Sequence, residues 1–343
     1  MTLRQGAIDL LWLDTKMTND FFGASVQIRK DIHRRIRQVT DQVPHQKLKD
    51  IIHQRNKNSS FLKGTMSYFI HEGVGGKLSR KDKIELATGI EVLCSSGAIF
   101  DNAIDGHEER NGETTFLKEY GIWMQVAASQ YVLHHGLKML FPFMNIYTRK
   151  FSHMYSIDEA VVGMVGMDIE RSKNLQEQLK ITERSNGRFA EVPLVIAATT
   201  GTDDKAIIEK ISGYGFNLGT ALGIYEEVRD ILGKHGRRRA TEIEGGRFAI
   251  PLHIANERGY FNLENYVGRV ISDAEYAEMI KKIISSGAMR ETQNLAIEYF
   301  DQAETALYIA VNRNCFDKLN SLRTSVSSEF EKIISEAEEK YGQ

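Results

Sequence analysis

Proline is scarce, with only Pro44, Pro142, Pro193 and Pro251 in 343 residues. Proline breaks helix interiors, so this scarcity permits long helices. Cysteine is scarcer: Cys94 and Cys315 lie far apart and form no CxxC pair. That argues against a disulfide scaffold and a structural zinc site, and a reducing cytoplasm is the simplest setting. No excess of one charge sign exists, because the formal net charge is -2. A general nucleic-acid binder would carry a large basic excess, so no nucleic-acid partner is expected. Long apolar runs are also missing. The N-terminal stretch is interrupted by Asp9 and Asp14 and reads as neither a signal peptide nor a membrane span. No other window has transmembrane length, so a cytoplasmic chain without a transmembrane segment is expected.

What is present is a large helical core. Apolar residues make up 42% of the chain and charged residues 26%, which suits one large folded domain over 1–343. In the stretch 81–105, Ile84, Ala87, Ile90, Leu93, Cys94, Gly97 and Ala98 recur at helical spacing. In the stretch 210–233, Ile211, Leu218, Leu222, Val228 and Ile231 share one broad apolar face. No run of alternating strands with hairpin turns is evident, and the C-terminal segment reads as a solvated amphipathic helix. The expected fold class is all-α. Glycine and charge mark loops at 71–80, 106–114 and 233–246.

Two acidic clusters stand at the ends of the apolar helical stretches. Asp101 and Asp105 are four residues apart, and so are Glu226 and Asp230, with Glu227 between them. Residues four apart share a helix face. Paired carboxylates in a dry site repel unless a cation joins them. Magnesium takes oxygen ligands and often completes its shell with substrate phosphate oxygens. Such ions draw charge from a diphosphate leaving group. Taken singly, each cluster reads as a solvated helix face. Lys77, Arg80, Arg110, Arg188 and Arg247 lie in glycine-containing segments. Arginine grips phosphate bidentately and lysine acts as a point charge. Glycine before Lys77, Arg188 and Arg247 suits close approach of the backbone to a ligand. Taken singly, each is an ordinary surface charge, and the Arg237–Arg239 run is equally a solvated loop.

In order, the chain carries GGKLSR, DNAIDGHEERNGETT, MDIERSKN, GRFAEVPL, LGTALGIYEEVRDILG and EIEGGRFAIPL. This ordered set resembles the trans-isoprenyl (polyprenyl) diphosphate synthases of the isoprenoid synthase fold, from about residue 75 to about residue 252. The resemblance implies a large single-domain helical bundle around a central cavity, Mg2+ as cofactor, and usually a homodimer, with a hetero-oligomer as the alternative. It implies Asp101, Asp105, Glu226, Glu227 and Asp230 as metal ligands. Arg110, Arg188 and Arg247 would meet the allylic diphosphate, and Lys77 and Arg80 the isopentenyl diphosphate. Asp101, Asp105, Arg110 and Arg188 would carry catalysis.

The departures fall unevenly. Asn102 replaces the second aspartate of the first motif, Asn111 the second arginine after it, Cys94 the family's His or Gln, and Gly223 the Gln of the second motif. Glu226 and Glu227 replace aspartates, and Arg188 and Arg247 replace lysines. Asn111 and Cys94 fall on the isopentenyl side, so ionisation is better supported than elongation. Ser96 and Gly97, just before the first motif, are small and leave the tunnel open there, which implies a geranylgeranyl or longer product unless Leu93 or Met124 closes it. The expected activity is condensation of an allylic prenyl diphosphate with isopentenyl diphosphate. The alternatives are a class I terpene synthase, a prenyltransferase with another acceptor, and a non-catalytic subunit of a prenyl synthase complex.

Overall fold

The computed structural model describes residues 20–57, 59–104, 109–110, 113–114, 116–144, 172–233 and 241–342. The chain divides into two compact units. The first takes 1–153, 192–212 and 306–322; the second takes 154–191, 213–305 and 323–343.

In the first unit, α1 (Phe21–Asp41) begins where the Asp20 carboxylate accepts from the Gly23 N–H at 2.6 Å. Such a cap satisfies one of the donors that a helix start leaves unpaired. Its buried Ile28, Ile32 and Ile36 recur every four residues. Pro44 lies between α1 and α2 (Gln46–Lys57), followed by α3 (Leu62–Gly73) and α4 (Arg80–Ile104). The short α5 (Phe116–Tyr120) leads into α6 (Ile122–Leu140), and Pro142 sits in the single 3-10 turn that follows.

Helix α4 packs against α1, α2, α3 and α6. Residues 86–92 are buried without a break, Thr88 and Glu91 included. A one-faced amphipathic pattern is therefore too narrow a description of this helix: it is surrounded on all sides. Glycines permit that. A Cβ at Gly136 of α6 would lie 2.7 Å from the backbone nitrogen of Leu93, and one at Gly64 of α3 would lie 2.5 Å from the Ala87 carbonyl oxygen. Glu91 turns its burial to use, because its carboxylate accepts from the Gly64 N–H at 2.6 Å in the first turn of α3.

The second unit holds α7 (Leu175–Thr182), joined through a π-helical turn at Glu183–Gly187 to the first turn of α8 (Arg188–Thr199), whose remainder belongs to the first unit. It also contains most of α9 (Lys205–Ile231), then α10 (Thr241–Glu244), α11 (Ile250–Glu257), α12 (Asp273–Ser285) and most of α13 (Ala288–Ala310). The later part of α14 (Arg313–Tyr341) completes it. Pro251 sits in the first turn of α11, where a missing N–H costs nothing, whereas Pro193 lies inside α8. A capping box of Ser272 and Glu275 starts α12. Arg290 of α13 grips both Glu331 and Glu338 of α14.

The all-α expectation holds, including both long helices and the C-terminal one. The exception is a two-residue antiparallel pair, β1 (Glu109–Arg110) with β2 (Glu113–Thr114), inside the segment expected to be loop. Both cysteines are buried and free. Among the described residues no helix is long and apolar enough to cross a membrane.

Replacing Gly136 by Ala tests the close contact of α6 with α4. Helix propensity favours alanine by about 1 kcal/mol. Forcing a methyl against the α4 backbone costs about 1–3 kcal/mol. The expected outcome is a lower urea midpoint; an unchanged or raised midpoint would mean the two helices part freely.

Candidate active site

The first acidic cluster is only partly visible. Asp101 stands in the last turn of α4, and Asp105 lies outside the described residues, as do Asn111 and Arg237–Arg239. Arg110 lies in β1, opposite Glu113. One helical turn or more before Asp101, α4 carries Cys94 and Glu91. Burial pushes the Cys94 thiol up to about 12 and raises the Glu91 carboxyl, the latter opposed by the Gly64 N–H and by Lys63 and Arg55. A sealed, neutral thiol cannot grip a phosphate as the family's His or Gln does. Ser96 is buried and donates to the Leu93 carbonyl at 2.7 Å.

The GGKLSR segment joins α3 to α4. Gly75 has φ +89°, a conformation that glycine adopts without strain. Lys77 is exposed, with no ion pair or hydrogen bond among the described residues. Arg80, expected to hold isopentenyl diphosphate, is already paired with Asp31 of α1.

In the second unit, Glu226, Glu227 and Asp230 occupy the last two turns of α9, all half-buried. They do not share one task. The Glu227 carboxylate accepts from the Thr182 hydroxyl at 2.6 Å, the Gln178 amide at 3.1 Å and the Ile250 N–H at 2.8 Å. It thereby fastens α7 and the start of α11 to α9. Glu226 pairs with Arg229 at 3.0 Å, and Arg229 lies over the Tyr225 ring, which meets Phe330 edge-on. The glycines before Lys77 and Arg188 are themselves closely packed. A Cβ at Gly187 would lie 2.6 Å from the Thr220 hydroxyl, and one at Gly76 would lie 2.2 Å from the His71 ring. Gly246, before Arg247, has φ +81°.

Arg188 follows the π turn directly. Its guanidinium pairs with buried Glu191 at 2.7 Å and lies 4.7 Å from the Phe216 ring centroid. An ion pair and a cation–π contact thus fix its direction. The Tyr299 hydroxyl donates to Glu183 at 2.7 Å and so holds the turn itself. A Cβ at Gly223, where the family has Gln, would lie 2.7 Å from Cγ of Asn186. The Asn186 amide fills the space that the missing side chain vacates. Sequence reasoning missed Asn186, Phe216, Thr182, Gln178, Tyr299 and His71. Only the Arg188–Glu191 pair had a visible signal, its i,i+3 spacing.

No family model matches the chain. A geranylfarnesyl diphosphate synthase from Natronomonas pharaonis is 22% identical over 243 residues, covering 63% of this chain and 66% of that one. A geranylgeranyl diphosphate synthase from Saccharolobus solfataricus is 25% identical over 252 residues, covering 67% and 74%. The chain thus spans about two thirds to three quarters of the length of these relatives. The structure of a polyprenyl synthase from Caulobacter crescentus CB15, solved with calcium and isoprenyl diphosphate, superposes with a TM-score of 0.71 at 18% identity, covering 95% of this chain and 99% of that one. The fold is the isoprenoid synthase fold. In sequence the chain is similar to these trans-isoprenyl (polyprenyl) diphosphate synthases, and it shares the fold of the solved polyprenyl synthase.

The two glutamates are separable by stability. Glu227→Ala strands three donors around a half-buried position and is expected to cost about 2–3 kcal/mol. Glu226→Ala takes one partner from the buried Arg229, which keeps its contact with the Tyr225 ring, and is expected to cost less, about 1–2 kcal/mol. Denaturant unfolding without metal measures both; equal losses would contradict the assigned roles.

Proposed function

We propose that this chain is a magnesium-dependent trans-prenyltransferase that joins an allylic prenyl diphosphate to isopentenyl diphosphate, with a geranylgeranyl or longer product. The carrying observation is the ordered motif set on a fold shared with polyprenyl synthases. Every candidate metal donor is a carboxylate oxygen, and Glu226 and Asp230 lie one turn apart on α9. Among the described residues no three His, Cys, Asp or Glu side chains are grouped to hold a metal alone. That donor set suits magnesium, which takes one or two carboxylates and leaves the rest of its shell to water and phosphate oxygens. Asp101, Asp105, Glu226 and Asp230 are the ligands in this reading. Glu227 is the positioning member, since its oxygens are already engaged. Bound magnesium supplies charge neutralisation of the leaving diphosphate.

The chain's own side chains do the rest. Arg188 comes preset by Glu191 and Phe216, and with Arg110 and Arg247 it neutralises the allylic diphosphate. Lys77 and Arg80 hold isopentenyl diphosphate, whose double bond attacks the allylic cation; the proton then lost passes to the released diphosphate. Two free, buried cysteines support a cytoplasmic setting in this reading. A second reading, another acceptor or cyclisation, is favoured by one observation: buried Cys94 offers no phosphate contact on the isopentenyl side.

The oligomer in this reading is a homodimer. Trp123, Leu137 and Phe141 share the exposed stripe 123–127–130–134–137–141 around α6, with Trp123 82% and Phe141 64% exposed. A stripe of that kind calls for a partner surface, here a second copy. Sedimentation of the wild type at twice the chain mass, and of a Trp123→Asp, Phe141→Asp double variant at the chain mass, is expected; a monomeric wild type would refute the dimer.

Incubation with magnesium, isopentenyl diphosphate and a panel of allylic diphosphates tests the activity. Elongated products are expected, with turnover lowered at least about 100-fold by Asp101→Ala, the scale of losing one stabiliser of developing negative charge. Intact turnover in that variant would refute the scheme. Consumption of allylic substrate without isopentenyl incorporation would select the second reading.

A further inference from the structure

The loop that carries Lys77 is folded onto a histidine. His71, in the last turn of α3, is completely buried. Its Nε2 accepts the backbone N–H of Leu78 at 3.2 Å, and its carbonyl accepts the N–H of Gly76 at 2.8 Å. The Gly76 backbone lies so close to the imidazole that a Cβ there would fall 2.2 Å from Nε2. On the other side, Nδ1 lies 2.9 Å from the Thr200 hydroxyl, and that hydroxyl donates to the Ala197 carbonyl at 2.7 Å.

These partners leave one proton arrangement. The Leu78 N–H can only donate, so Nε2 must carry its lone pair. The Thr200 proton is spent on Ala197, so Thr200 accepts and Nδ1 carries the hydrogen. The relay runs from Leu78 through the ring to Thr200 and Ala197 with every donor matched. A protonated ring would set Nε2–H against the Leu78 N–H. The charges facing the ring are Glu72 of its own helix and Lys83 of α4, which pair with each other; segment 192–212 contributes the Thr200 hydroxyl and the Ala197 carbonyl. Burial pushes the imidazole below the ordinary histidine value, Lys83 adds to that, and the Ala197 carbonyl and Glu72 oppose it.

The geometry points to His71, as the neutral Nδ1–H tautomer, as the positioning residue that sets the GGKLSR loop, and with it Lys77, to receive a diphosphate. This rests on the proposed reading that Lys77 and Arg80 hold isopentenyl diphosphate. His71 touches no substrate in this account; it acts through the loop backbone. The sign follows from the protonation states. The neutral ring favours the folded loop, so the contribution is complete above the ordinary histidine pKa, weakens below it, and is lost as pH falls through the lowered value of the folded state.

The variants His71→Gln and His71→Leu test this. The Gln carbonyl replaces Nε2 as acceptor, whereas Leu keeps bulk and removes it. His71→Leu is expected to raise KM for isopentenyl diphosphate about tenfold, with kcat and the allylic KM nearly unchanged, as for a lost contribution to ground-state binding alone. His71→Gln is expected to restore most of that KM. It should also lack the acid-side rise in KM shown by the wild type, although its substrate diphosphate titrates identically. Equal losses in kcat and both KM values in His71→Leu, with no rescue by Gln, would reduce His71 to a core residue and overturn the inference. If His71→Leu fails to fold, the pH profiles of wild type and His71→Gln decide. Two readouts need no turnover: long-range proton–nitrogen NMR of the intact protein must show His71 as Nδ1–H, and calorimetric binding of isopentenyl diphosphate must follow the same order of variants. An Nε2–H or charged ring near neutral pH refutes the inference whether or not the chain is active. An inactive wild type with the Nδ1–H ring and the expected binding order refutes only the prenyl-transfer reading.

Discussion

Helix α4 can be enclosed only because neighbouring backbones come within contact distance of it. Gly64 and Gly136 give up their side chains for that approach, and Leu140 closes over Gly89 in the same way. Interiors are packed at crystal-like density, so each missing Cβ is space already occupied by another chain segment. Enclosure then dictates chemistry. Glu91, deep in the helix, must find donors, and it finds them at the start of α3. The motif that ends α4 therefore stands on a helix whose position is fixed from several sides.

The second acidic cluster divides its labour by hydrogen bonding. Three donors from two other segments converge on Glu227, while its neighbour Glu226 pairs with Arg229 on the same helix. Adjacent residues on a helix point about 100° apart, so one side chain is drawn into packing and the other left beside Asp230. Substituting glutamate for aspartate adds one methylene. In Glu227 that extra reach is used to meet the backbone N–H of Ile250 and the hydroxyl of Thr182 together.

Much of the fold was legible because helical spacing survives in 81–105 and 210–233, and because three of the four prolines fall at or beyond helix ends. The degree of enclosure was not legible: Thr88 and Glu91 look like solvent-facing positions until the helices around them are known. The motifs gave the backbone placement of Arg80, Arg188, Glu226 and Glu227. They could not say which of these are already paired, since Asp31, Phe216 and Gln178 are distant in sequence from the groups they hold. The Gly223 departure reads as a loss in one dimension and as a filled space in three, because Asn186 comes from another helix.

Cys94 and Cys315 are both sealed in packed interior, and burial raises each thiol to about 12. Thiolate, not thiol, attacks electrophiles. Toward maleimides and similar labels the folded chain therefore behaves as if it had no cysteine, and a single one introduced on the surface becomes a site-selective handle without prior removal of the native pair.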